Sequence, residues 1–238
     1  SNVLVSDKGI NGLVLSPAKS LKQLTINASS VDAEAGVMLG KLVKETIKNN
    51  LTGLESLVGV PGTLGGALIM NAGAFGGEIS NYLLSVDTMT MDGSIHKYNA
   101  HDINFSYRHS TFKSDEFILS AKFKLKKDDP IIIKKRRDSA SKGRKTNQPL
   151  RYRSAGSVFK NTPMYAAGYL IDQAGLKGTR IGDAEISNHH ANFFINRGAA
   201  SASDIIALIE LAMSAVLKKF DIKLELEIKT IGFENKSV

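Results

Sequence analysis

The sequence predicts an α+β protein in two domains. Three observations carry this. Short apolar or alternating runs with tight turns fill the first 127 residues, as strands do. Stretches of helical period are few and interspersed, at 37–49, 130–142, 166–174 and 203–220. Asn147-Gln148-Pro149 then breaks the chain before a shorter part with its own strands and helices.

Taken in order, VLVS and GLVLS read as two short strands separated by the turn DKGIN, within 2–17. A chain that begins inside a strand leads us to expect material upstream. In 37–49, Met38, Leu39, Leu42, Val43 and Ile47 recur at helical spacing. Residues 82–91 alternate as a strand, Asp92-Gly93 turns the chain, and 95–98 return it. Residues 117–127 form a further strand. Pro130 opens a helix, a position where its missing N–H costs nothing. In the second part, 157–159 is a short strand or turn, and Gly175 stops the helix 166–174. Residues 192–196 form a strand. The long helix 203–220 takes Ser203 as its cap and buries Ile205, Ile206, Ile209, Ala212, Met213, Val216 and Leu217. Residues 224–231 are the closing strand, with Glu225 and Glu227 on one face.

Composition narrows the function. With 238 residues the chain can bury a real core, and 42% hydrophobic content is ordinary for a globular protein. It has no cysteine, so disulfides and thiolate metal sites are excluded. No apolar run approaches the roughly 20 residues of a membrane span, and the first residues lack the plan of a signal peptide. We therefore expect a cytoplasmic protein without membrane partners. The net charge of +8 calls for nucleic acid or a multiply anionic small substrate, such as a nucleotide diphosphate. Residues 122–145 hold 11 Lys or Arg against three Asp with a single aromatic, Phe123, too few for a stacking platform, which fits a solvated helix face.

The stretch 53–80 holds eight of the 21 glycines. Two readings are open for it: a run of tight turns, or a backbone cradle whose N–H groups face a bound anion or ring. Neither a phosphate-binding P-loop nor a GxGxxG motif opens a helix. His189-His190 has no acidic or thiol partner at ligand spacing, so we expect no metal site. Arg108 between Tyr107 and His109, Ser157 after Gly156, and Glu227 are candidates for chemistry, each also readable as a surface residue.

Six ordered motifs together resemble one family. SNVLVSDKGINGLV is similar to the tail of a glycine-rich GSN segment, and GLESLVGVPGTLGGALIMNAGAFGGEI to an FAD-binding loop. FSYRHSTFK and RSAGSVFKN resemble catalytic-arginine and catalytic-serine motifs. AGYLIDQAGLKGTRIGDAEISNHHANFFIN looks like a substrate-domain signature, and LELEIKTIG like a terminal catalytic-glutamate strand. The family is that of the UDP-N-acetylenolpyruvoylglucosamine reductases, in the subtype without an extra capping loop.

The resemblance implies an FAD-binding domain of the vanillyl-alcohol-oxidase type over 1–142, a smaller α/β substrate domain over 143–229, and a return of 230–238 to the first domain. It implies FAD as cofactor, NADPH as co-substrate, and a UDP-sugar bearing an enolpyruvyl group as substrate, in peptidoglycan synthesis. Such enzymes are expected to be monomers that do not bind nucleic acid. Ser157 is then the proton donor to carbon, while Arg108 and Glu227 stabilise the substrate carboxylate as it gains enolic character. A glutamate in that role works through a proton it carries or shares. Ser1, Asn2, Gly59, Pro61, Gly62, Thr63, Gly65, Gly66, Asn71, Gly73 and Ala74 match the cofactor-binding positions. Tyr107, Lys145 and Asn161 match substrate positions, with Lys160 assisting. Two departures stand out. The family begins about 50 residues earlier, so an upstream subdomain is expected to be missing here. Asn161-Thr162-Pro163 also replaces a plain Asn-Pro. An inactive fragment of this enzyme and a basic nucleic-acid-binding module stay open as alternatives.

Overall fold

The computed structural model describes residues 1–233. It divides the chain into two compact units, one of Leu15–Arg144 and one that joins Ser1–Val14 to the chain from Lys145 onward. This grouping differs from the division at 142, because the first residues belong with the second unit. Val3–Val5 pairs in parallel with Lys229–Ile231. Of the tail 230–238, residues 234–238 lie outside the described residues.

The unit of Leu15–Arg144 is built on a five-stranded antiparallel sheet. Its order is Leu24–Asn27, Ser30–Glu34, Glu116–Lys124, Leu83–Thr90 and Ile95–Asn99. Alternation sends Val31, Ala33, Val86, Ala121 and Phe123 to one face. Leu39, Leu42 and Val43 of the helix Leu39–Lys48, with Leu64 and Leu68 of the helix Leu64–Ile69, join them in one core. The hairpin turn falls at Asp92-Gly93 as expected, with Gly93 at φ 87°. The expected strand at 12–16 does not form. Leu13 is 86% exposed and among the described residues no strand pairs with this segment, so its apolar side chains have no sheet to fill.

The basic helix is longer than expected, Pro130–Asn147, and buries only Ile133 and Ala140. Most of its charges are solvated. Among the described residues no helix is long and apolar enough to cross a membrane.

The other unit carries a four-stranded antiparallel sheet, ordered Arg153–Ser157, Phe193–Asn196, Ala184–Ile186 and Arg180–Ile181. The helices Ala167–Gln173 and Ala202–Phe220 pack on it through Leu170, Ile171, Leu208, Ile209, Ala212 and Val216. The long helix is capped by Ser201, not Ser203. Ser201 and Asp204 form a capping box, the side chain of each accepting from the other's N–H. Leu217 is exposed, and Leu208 is buried in its stead. The closing strand is only Lys229–Ile231, because 225–228 pair irregularly with 158–160.

Candidate functional site

The sequence-predicted residues fall into two groups, one in each unit. In the unit of Leu15–Arg144, the glycine stretch lends Leu54, Leu57, Leu64 and Leu68 to the core. Gly62 at φ 109° and Gly59 at φ 75° adopt backbone that only glycine takes without cost. Several backbone groups of this stretch are already paired. Leu64 N–H donates to the Val37 carbonyl (2.8 Å), Gly65 N–H to Ala35 (2.9 Å), and the Gly62 carbonyl accepts from Leu39 (2.9 Å). A Cβ at Gly65 would come within 3.3 Å of the Ala35 methyl, so this glycine serves close packing. Gly66 is different. It is exposed, and a Cβ there would find only Thr63 Oγ1, at 3.8 Å. Thr63 is extended at the helix start, and Pro61 is exposed.

Asn71 ends this stretch fully buried, at φ 41°. Its Nδ2 donates to Glu78 Oε2 (2.8 Å) and to the Ser106 carbonyl (3.1 Å). Both partners are acceptors, which fixes the orientation of the amide. Its Oδ1 is left buried with no hydrogen-bond partner. A buried acceptor without a donor costs about 1–3 kcal/mol.

Ser106 leads into the two-residue turn Tyr107-Arg108 between the strands Phe105–Ser106 and His109–Ser110. Arg108 takes φ 55°, a strained value for an arginine, and its Nη2 donates to the Gly73 carbonyl (3.2 Å). Gly73–Ala74 pairs in turn with Gly77–Glu78. Ser110 Oγ donates to the Ile69 carbonyl (2.7 Å), so the arginine turn is stitched to both ends of 69–73. Tyr107 is exposed, with the Arg108 guanidinium 4.9 Å from its ring centroid.

Arg144 reaches the same loop from the basic helix. Its Nε donates to the Val58 carbonyl (3.1 Å), and its guanidinium lies 5.8 Å from the Phe75 ring centroid. Burial holds this guanidinium below its ordinary pKa.

In the other unit, Ser157 ends a strand whose register breaks between Ser154 and Ser157, with Gly156 at φ 87°. Asn2 braces that break. Its Nδ2 donates to the carbonyls of Ala155 (2.6 Å) and Ser157 (3.0 Å). Its Oδ1, like that of Asn71, is buried without a partner. Ser1 is exposed.

Beyond the serine, Asn192 holds Phe159 on both sides. Asn192 Oδ1 accepts from Phe159 N–H (2.9 Å) and its Nδ2 donates to the Phe159 carbonyl (2.8 Å). The N–H of Glu227 donates to the Val158 carbonyl (2.8 Å), which brings the glutamate beside the serine segment. Glu227 and Glu225 do not share a face. Glu227 is 9% exposed, whereas Glu225 is exposed and pairs with Lys160. Asn161 Oδ1 accepts from Ala167 N–H (3.0 Å) at the start of the helix Ala167–Gln173. The extra Thr162 closes a turn, accepting from Tyr165 N–H through Oγ1 (2.9 Å). Lys145 is exposed near the end of the basic helix. His189 Nε2 is 2.6 Å from the Thr146 carbonyl, and burial lowers the pKa of His190. Among the described residues no group of three or more His, Asp or Glu could hold a metal.

The sequence reading missed Glu78, Arg144 and Asn192. Glu78 left a signal, since it and Glu55 are the charged residues of 53–80. Asn192 left none, because its role depends on a backbone distant in sequence.

A family model described as FAD binding domain matches residues 1–99. The structure fits a flavin nucleotide at this loop. Gly66 leaves an open face, and the orphaned Oδ1 atoms of Asn71 and Asn2 await donors of the hydroxyl or ring N–H kind. The class is thus a flavoprotein with an FAD-binding domain.

A second model, UDP-N-acetylenolpyruvoylglucosamine reductase, C-terminal domain, matches 148–231. The chain is 44% identical over 238 residues to the UDP-N-acetylenolpyruvoylglucosamine reductase of Clostridium novyi (strain NT), covering 100% of this chain and 77% of that one. With the same-named protein of Pediococcus pentosaceus it shares 43% over 235 residues, covering 98% and 78%. The crystal structure of UDP-N-acetylenolpyruvylglucosamine reductase from Thermus caldophilus superposes with TM-score 0.78 at 38% identity, covering 87% of this chain and 74% of that one. The chain belongs to the UDP-N-acetylenolpyruvoylglucosamine reductase family, whose members are oxidoreductases.

Proposed function

We propose that this chain reduces the enolpyruvyl group of UDP-N-acetylglucosamine enolpyruvate to give UDP-N-acetylmuramate, with NADPH as reductant, for peptidoglycan synthesis in the cytoplasm. Bound FAD supplies the two-electron donor for the methylene carbon. Gly59, Pro61, Gly62, Thr63, Gly65, Gly66, Asn71, Gly73, Ala74, Ser1 and Asn2 are the residues we assign to holding it.

The chain's own groups have two tasks. The first is to stabilise the substrate carboxylate as charge builds on it. Arg108 is suited to this because its guanidinium is already oriented by its bond to the Gly73 carbonyl. Glu227, buried beside Val158, shares a proton with the carboxylate. The second task is to protonate the neighbouring carbon. Ser157 does this, and its O–H is a competent acid only against a strongly basic carbanion in an enclosed site. Tyr107, Lys145, Asn161 and Lys160 contact the nucleotide part, and the basic helix steers the anion at long range.

The observation that carries the proposal is the backbone pairing that sets Glu227 against the residue after Ser157. The test is NADPH oxidation followed with and without the enolpyruvyl substrate. Ser157→Ala should lower the substrate-dependent turnover by about 10²–10⁴-fold and leave flavin reduction by NADPH intact. Unchanged turnover in that variant would refute the proton-donor role.

A further inference from the structure

Two buried side-chain atoms among the described residues lack a hydrogen-bond partner, and both are amide oxygens of asparagines. Each of these asparagines uses its Nδ2 in the same way. Asn2 Nδ2 holds the carbonyls of Ala155 and Ser157, at 2.6 and 3.0 Å. Asn71 Nδ2 holds the carbonyl of Ser106, at 3.1 Å, and the carboxylate of Glu78, at 2.8 Å. The first brace lies on Ser157 itself. The second lies two residues before Arg108, whose own guanidinium bonds the loop that carries Asn71 and Glu78.

We infer that Asn2 and Asn71 are positioning residues, each within its own unit, that couple a ligand donor at the open oxygen to the placement of Ser157 and of Arg108 respectively. An amide whose Nδ2 is committed to two acceptors cannot flip to relieve its oxygen, because the flip would set oxygen against oxygen. The open Oδ1 is therefore a fixed acceptor, and its desolvation is recovered only when a ligand brings a donor. Polarising the oxygen strengthens the N–H bonds on the other side of the same amide, as in any hydrogen-bonded chain. A donor arriving from the ligand thus tightens the backbone that bears the catalytic side chain. The sequences agree with this geometry. Gly156 takes φ 87°, and a Cβ there would stand 3.3 Å from Asn2 Nδ2, so the brace needs a glycine beside it. Asn71 accepts a left-handed φ of 41°, which asparagine tolerates better than most residues. The inference rests on the functional reading above for the identity of the ligand.

The test uses the full chain and the variants Asn2→Ala and Asn71→Ala, with Asn2→Asp and Asn71→Asp as shape-conserving controls. Hydrogen exchange of the flavin-free protein comes first, with melting curves to show that the variants fold. Exchange at 155–158 should rise at least 10-fold in Asn2→Ala, and at 106–109 in Asn71→Ala. Added FAD should slow exchange at these segments in the wild type and not in the Ala variants. The FAD Kd, read from flavin fluorescence, should rise about 10-fold in each. With FAD saturating, rapid-reaction traces should show the substrate-dependent reoxidation slowed at least 10-fold. The Asp variants keep an acceptor oxygen but lose both donors, so they too should fail to protect the segments. Recovery of reoxidation at saturating FAD, or protection that survives in the Ala or Asp variants, would overturn the coupling. A wild type that binds no FAD would sink the functional reading and the ligand half of this inference. The exchange of the flavin-free protein would then still decide whether the braces exist.

Discussion

The two units hold their catalytic candidates by opposite means. In Leu15–Arg144 the backbone is strained: Asn71, Phe75 and Arg108 all take positive φ. Each non-glycine residue there costs about 1–2 kcal/mol, so neighbouring contacts must over-determine the loop. The Ser110–Ile69 and Arg108–Gly73 bonds do so. In the other unit the Ser157 segment bends at a glycine, Gly156, and its surroundings clamp it. Asn2, Asn192 and the N–H of Glu227 all grip 155–159. The arginine is carried on a stiff turn, and the serine on a strand gripped from several sides.

Substitutions can break or sharpen this contrast. Arg108→Ala should have the largest effect, a loss of about 10²–10³-fold in kcat/KM for the enolpyruvyl substrate, read by steady-state kinetics. Arg108→Gly should lose the same catalysis yet unfold later than the alanine variant by up to about 1 kcal/mol, since glycine relieves the strain at φ 55°. Equal melting of the two would mean that the turn is not strained.

Asn192→Ala removes two hydrogen bonds and leaves Phe159 polar groups buried, which should cost about 3 kcal/mol in urea unfolding. A cost under about 1 kcal/mol would show that the clamp is not what fixes the serine segment. Gly156→Ala should cost about 1–2 kcal/mol, through φ 87° and the close approach to Asn2.

The smallest effect concerns pH. His190 is held below its ordinary pKa chiefly by burial, with His189 and Lys177 adding to the shift. The unfolded chain therefore binds its proton first. Stability should be whole above the unfolded value of about 6.5 and should fall as pH drops from there through the lower folded value. His190→Gln should flatten this acid limb in thermal melts.

Much of this was legible in the sequence because local chemistry decided it. The Asp92-Gly93 turn, the helix opened by Pro130 and the glycine stop at 175 follow from single residues. The ordered motifs gave the family. The errors lie where distant backbone decides. GLVLS has strand composition but no strand partner among the described residues. LELEIK alternates, yet 225–228 pair with 158–160 through irregular bonds that bury Glu227 and leave Glu225 exposed. Ser203 and Ser201 are both plausible caps by composition, and only the spacing to Asp204 selects Ser201. The open oxygens of Asn2 and Asn71 could not be read at all, because an unpaired atom has no sequence pattern.

The parallel pairing of Val3–Val5 with Lys229–Ile231 bears on biosynthesis. Residues 15–144 are contiguous and can fold once they have left the ribosome. The other unit cannot close until residue 231 is made, which at about 5–20 residues per second leaves its first strand without a partner for roughly 10–50 s. During that time Val3 and Val5 are an open edge able to pair with another chain. The slow step in closing this unit should therefore be the meeting of these two strands, and slower translation should lengthen the time in which nascent chains can aggregate.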